Sequence, residues 1–220
     1  MISNTFNTML KLLLSLTLVV SFTVQADDND DNKALNSFLN KLSQLQNMQA
    51  NFIQVMRDGK QRELQELSGK IMIEKPGKLF WQTNPPYEQL VISDGLSVWI
   101  YDMDLEQVTI RDMENRIQET PALLLSGDAS EVSKNFTVKL KTTDAISRYS
   151  LIPKDSSQLF EKLEFQYFND QLESMSIFDV AGQVTEIIFE NTRVNQDIDP
   201  NTFVFKTPEG VDVIDGRHER

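Results

Sequence analysis

Lys75 to Asp102 reads KPGKLFWQTNPPYEQLVISDGLSVWIYD, and its three apolar runs, cut by two turns, make a β-meander. The runs are Leu79 to Thr83, Tyr87 to Ser93 and Ser97 to Asp102. Asn84-Pro85-Pro86 separates the first pair and Asp94-Gly95 the second; Asp-Gly suits a tight hairpin because both residues accept positive φ. Both side-chain sets in each run are rich in large apolar groups. Leu79 and Trp81 alternate with Phe80, Leu90 and Ile92 with Val91, and Trp99 and Tyr101 with Val98 and Ile100. A sheet with one wet face alternates more cleanly, so this one is either covered on its second face or hollow and lined.

Upstream, Leu35, Phe38, Leu39, Leu42, Leu45 and Met48 follow the spacing of one helix face, with Asp31 or Asn32 as cap. The opposite face, Asn36, Asn40, Lys41 and Gln44, is polar but not the basic face that interfacial helices carry, so the helix is expected to pack on a sheet rather than on a membrane. From Ala50 to Lys75 the period falls towards two, with Asp58-Gly59 as the turn of a long hairpin. Leu105 to Arg111 adds one strand. Thr120-Pro121 then opens a short apolar helix, Ala122 to Leu125, stopped by Gly127, and Asp128 caps a second helix running to Asn135. Inserted in a meander, these two need a sheet surface to lie on and read as a lid.

Strands resume at Phe136 to Lys141, Arg148 to Ile152, Leu159 to Phe168, Leu172 to Asp179 and Val184 to Asn191, with Asn201 to Lys206 as a last short strand and Val211 to Arg220 as a charged tail. About twelve strands exceed what a twisted open sheet holds without curling. The expected fold is mainly β with short α: an unclosed, antiparallel half-barrel under a helical lid.

At the other end, Lys11, the apolar run Leu12 to Val20 and Val24-Gln25-Ala26 read as a signal peptide cleaved after Ala26, leaving residues 27–220 as one domain. A monomer is expected. The chain has 220 residues, no Cys and one His, His218, near the terminus, so thiolate metal sites, cysteine nucleophiles and a lipid-modified cysteine are excluded. A net charge of -12 argues against nucleic acid, whose affinity rests on phosphate contacts. Ser93-Asp94-Gly95 has no histidine partner, Asp94, Asp102 and Asp104 read as turn residues, and no phosphate loop or metal-ligand cluster is present in the sequence. No enzyme and no cofactor are expected.

Binding of an apolar ligand fits better: a curved sheet under leucine-rich helices makes a closable cavity. Phe52, Leu79, Trp81, Leu90, Ile92, Trp99 and Tyr101 are the candidate lining from the sheet, and Leu123, Leu124 and Leu125 from the lid. From spacing alone the same residues read as core.

Lys-Pro before Leu79-Phe80-Trp81, Pro85-Pro86 with Gln89 to Gly95, Trp99 to Asp102, Thr120 to Leu125 and Phe203 to Val211 resemble the LolA family, the periplasmic carriers of outer-membrane lipoproteins. The resemblance covers most of the chain after residue 33 and favours the cavity over the plain core. It implies lipoproteins as cargo, a LolCDE-type ATP-driven transporter of the inner membrane as donor and a LolB-type outer-membrane receptor as acceptor. It also implies a role for Lys75 in holding the lid, at a position where the family commonly carries arginine. The competing reading is a lipid- or lipoprotein-sensing domain on the same open barrel; a LolB-type receptor would need the lipidated cysteine that is missing.

Overall fold

A computed structural model describes residues 27–113, 121–155 and 159–217. The expected signal peptide, the Thr120 cap and His218 lie outside the described residues. Helix α1 spans Asp27–Gln44 and is followed by β1 (Asn47–Arg57), β2 (Glu63–Glu74), β3 (Lys78–Thr83), β4 (Gln89–Asp94), β5 (Ser97–Asp102) and β6 (Gln107–Asp112). A 3₁₀ helix, Pro121–Leu125, and α2, Ala129–Asn135, interrupt the meander. It resumes as β7 (Phe136–Thr143), β8 (Ile146–Pro153), β9 (Phe160–Phe168), β10 (Gln171–Asp179) and β11 (Val184–Val194). A second 3₁₀ turn, Pro200–Phe203, and β12, Asp212–Asp215, end the described chain.

The strands form one 12-stranded sheet in the order β12-β6-β5-β4-β3-β2-β1-β11-β10-β9-β8-β7. Its two ends are β12 and β7, so it is an unclosed sheet, as the strand count implied. All neighbours are antiparallel except β12 on β6. Strand β1 joins the two meanders through its pairing with β11, where Phe52 stands opposite Phe189.

Apolar side chains of the concave face, including Met48, Phe52, Ile71, Leu79, Trp81, Phe165 and Met175, form one buried cluster with Phe38 and Leu42 of α1, Leu123 to Leu125 and Val132 of α2. Helix α1 anchors in the second meander: the Phe38 ring lies 5.2 Å from both Tyr149 and Phe165. The Ser37 and Tyr149 hydroxyls share a hydrogen bond of 2.8 Å. Burial pushes the Tyr167 phenol above its ordinary value, while Lys41, over the Tyr167 ring at 5.6 Å, pairs with Asp170.

Three local expectations are corrected. Met48 belongs to β1, because α1 ends at Gln44. Residues 201–206 are not a strand: Asp199 Oδ1 accepts from the Asn201 amide at 2.9 Å and winds the chain into a 3₁₀ turn. The charged tail contains β12, whose residues 212–215 run parallel to Gln107 through Ile110.

Candidate functional site: the apolar layer between sheet and helices

Register decides which aromatic residues share a face. Trp81 pairs with Val91 and Leu79 with Ser93, while Val91 pairs with Ile100 and Ser93 with Val98. Directly opposed residues project to one face, so the concave wall of the first meander is built from Leu79, Trp81, Val91, Val98 and Ile100. Leu90 and Ile92 pair with Tyr101 and Trp99, as a set, on the other face. The sequence placed these four beside Trp81; the structure puts them on the convex side. There the Phe205 ring stacks on Trp99 and meets Tyr101 edge-on, each at 6.2 Å. The second apolar set of the meander is thus covered by the segment after β11, not by the helices.

Phe52, Leu79 and Trp81 do face the helices, together with Leu123, Leu124 and Leu125, and all are buried. Phe52 and Trp81 stack at 4.0 Å. Gly69 makes the stack possible, since a Cβ there would stand 2.6 Å from the Phe52 ring and 2.0 Å from the Gln82 carbonyl oxygen. Gly69, Ile71 and Val91 also belong to this layer and were not among its expected lining, while Phe38 and Leu42 join it from the helix face expected to pack on a sheet. A glycine inside a strand run was the available signal, because it marks close approach of another group. Two clefts on the described surface, of about 420 and 380 Å³, are bordered mainly by polar groups such as Asn51 and Arg193, and Ser37 and Lys41. The side chains of the apolar layer are themselves buried against one another.

Where the cover meets the sheet, several turns converge. Lys75 donates through its ammonium to the Leu42 carbonyl oxygen in the last turn of α1, and its own amide donates to Gln46 at 2.9 Å. Burial holds the Lys75 ammonium below its ordinary pKa, partly offset by Asp128. Asp128 caps α2 by accepting from the Ser130 amide at 2.8 Å; that bond, with Lys75 as a lesser cause, lowers its own pKa. The Gly77 amide donates to Ser126 at 2.7 Å, directly after the 3₁₀ helix. Gly77 also packs against Gly95, where added Cβ atoms would come within 2.9 Å of backbone. Lys75 therefore touches α1 directly and the head of α2 electrostatically. Its ammonium bond runs to α1 and not to the two short helices expected to form the lid.

The chain matches the family model described as outer membrane lipoprotein carrier protein LolA over residues 43–206. The chain belongs to the LolA family. It is 39% identical to an outer-membrane lipoprotein carrier protein of Azotobacter vinelandii, over 92% of this chain and 96% of that one. It is 43% identical to one from Chromohalobacter salexigens, over 75% and 79% of the two chains. Among solved structures, an uncharacterized conserved protein from Thermus thermophilus superposes with a TM-score of 0.51 at 11% identity, over 82% of this chain and 98% of that one, which concerns the fold alone. The segment matched by the family model includes the whole of β1 to β11.

Proposed function

We propose that the protein is a periplasmic carrier that receives lipoproteins from a LolCDE-type inner-membrane transporter and delivers them to a LolB-type outer-membrane receptor. Their acyl chains take the place of the side chains of the 3₁₀ helix and α2 against Phe52, Leu79 and Trp81. The observation that carries this reading is the buried apolar layer whose cover is made of separate helices, two of them short, rather than of a second sheet. At about 0.8 kcal/mol per methylene, moving one long acyl chain out of a bilayer costs on the order of 10 kcal/mol. Such a cost requires energy at the donor; the carrier has only to keep the chains from water. When empty, the closed cover keeps the same surface from becoming an adhesive patch. In this reading residues 1–26 are removed on export, residues 27–220 act as one carrier domain without catalysis, and Lys75 holds the cover shut.

Release of newly made lipoprotein from inner-membrane spheroplasts tests it. The purified protein is expected to recover lipoprotein in soluble form, and a folded Leu124→Asp variant is expected not to. Equal release by both proteins rejects the carrier site.

A further inference from the structure

Strand β2 is twice as long as its neighbour. It runs from Glu63 to Glu74, whereas β3 pairs with it only from Gly69 onward. Asn84 closes that junction: its amide donates to the Ser68 carbonyl oxygen at 2.8 Å and its side chain to the Ser68 hydroxyl at 3.0 Å. The Ser68 backbone therefore points away from β1. By the two-residue alternation of an antiparallel ladder, so does the backbone of Glu66. From Glu63 to Leu67 the strand is paired to β1 on one side, and among the described residues no strand pairs with its other side. A row of unpaired amides and carbonyls is a template for another strand.

This edge leads out of the apolar layer. Leu67 lies two positions along β2 from Gly69, the residue beneath the Phe52 ring, so it sits on the concave side about 7 Å further along. Leu67 and Met56 are half-buried, forming an apolar step between the Phe52–Trp81 stack and solvent. On the convex side stand Glu66 and, at the end, Glu63, both exposed. Leu64 is the extra residue of a bulge, since Met56 opposes Gln65 and Arg57 opposes Glu63. Like charges facing each other disfavour pairing with a second copy of the same edge and favour a strand that alternates apolar with basic residues.

Resting on the carrier reading above, we propose that the edge of β2 from Glu63 to Leu67 receives, as an added strand, the first residues of the cargo polypeptide after its acylated N-terminus. The cargo is favoured as occupant because these residues are tethered to the chains held at Phe52 and Trp81. They meet the edge at high effective concentration, and a few weak backbone hydrogen bonds suffice. A strand from a membrane-bound partner would lack this tether.

The test is displacement of an environment-sensitive apolar dye by two probes: a triacylated cysteine amide, and the same lipid with a short alternating valine–lysine tail. The tail is expected to tighten binding roughly tenfold, the worth of one or two net hydrogen bonds. Glu66→Pro removes an outward N–H without breaking the ladder to β1; it is expected to bind the tail-less lipid normally and to lose the gain. A tail methylated on alternate backbone nitrogens should lose the gain on the unaltered protein, which decides the matter should Glu66→Pro fail to fold in a circular dichroism melt. No gain from the tail, or a gain kept by Glu66→Pro or by the methylated tail, overturns the edge. A tail-less lipid that displaces no dye overturns the carrier reading itself, and the edge with it.

Discussion

The Lys75 ammonium donates to the backbone carbonyl of Leu42, 33 residues earlier in the chain, and so ties the end of β2 to the last turn of α1. Lysine brings one compact charge on a flexible stem, whereas arginine would present a planar fork able to hold two acceptors. Lys75→Arg is expected to reduce access of an apolar dye to the interior and Lys75→Leu to increase it. Equal dye binding by all three proteins would show that Lys75 does not hold the cover.

The same ammonium has a pH signature. Burial lowers its pKa from 10.5, so between the native value and 10.5 the unfolded chain holds more protons than the folded one. The contribution of Lys75 to stability therefore rises with pH across that interval and is least favourable below it. The melting temperature of the unaltered protein, minus that of Lys75→Met, should increase as pH is raised from neutral towards about 10. A flat difference contradicts the buried ammonium.

Trp81 and Trp99 should fail in different ways. Trp81→Glu puts a charge into the layer expected to take acyl chains and should abolish dye and lipoprotein binding in protein that remains folded by circular dichroism. Trp99→Ala removes the stack on Phe205 and should cost on the order of 2 kcal/mol in denaturant midpoint analysis while binding persists. Loss of binding in the folded Trp99 variant would put the convex set back among the ligand contacts.

Gly69→Ala should destabilise by about 1–3 kcal/mol, because the contact at 2.0 Å is with a backbone carbonyl that cannot swing aside. The Phe52 ring would also have to leave Trp81. In a Trp99→Phe background, where Trp81 alone emits, a shifted fluorescence maximum is expected; an unchanged spectrum and midpoint would mean the stack does not depend on the missing side chain.

Helix α1 should depend on its rings more than on its charges. Phe38 is fully buried against Tyr149 and Phe165, and Phe38→Ala should cost about 3–5 kcal/mol. Asp170, largely exposed beside Lys41, should give less than about 1 kcal/mol as Asp170→Asn, and less still at high salt. Comparable losses in urea titrations would reverse that ranking.

Much of this fold was legible because each turn carries its own chemistry. Asp94 Oδ1 accepts from the Leu96 and Ser97 amides, Gly95 has φ 95°, and the pairs around that turn, Ile92 with Trp99 and Leu90 with Tyr101, were rightly grouped. The neighbouring turn through Pro85 and Pro86 gave no such parity. Because the runs on both sides are apolar on both faces, alternation alone could not say whether Trp81 stands with Leu90 or with Val91. A one-residue difference in register exchanges the faces. The same ambiguity hid the partner of the convex set: Phe203-Val204-Phe205 has the period of a strand, yet Pro200 and the Asp199 cap wind the chain through Phe203 into a turn on β3 and β4, and Phe205 beyond it meets β5. Strand β12 escaped because Asp212 and Asp215 flank only two apolar residues.

The pairing of β1 with β11 joins segments far apart in the chain; Arg57 and Glu186, which bridge it, are separated by 129 residues. Each meander is otherwise local, so each can collapse early, while the seam between them waits on loop closure. During synthesis or secretion, which begin at the N-terminus, β1 to β6 are available long before β11 appears. Until then the outer edge of β1 lies bare beside Met48 and Phe52, an adhesive border on a half-built molecule. Completion of the central seam, rather than formation of either half, is what removes that border.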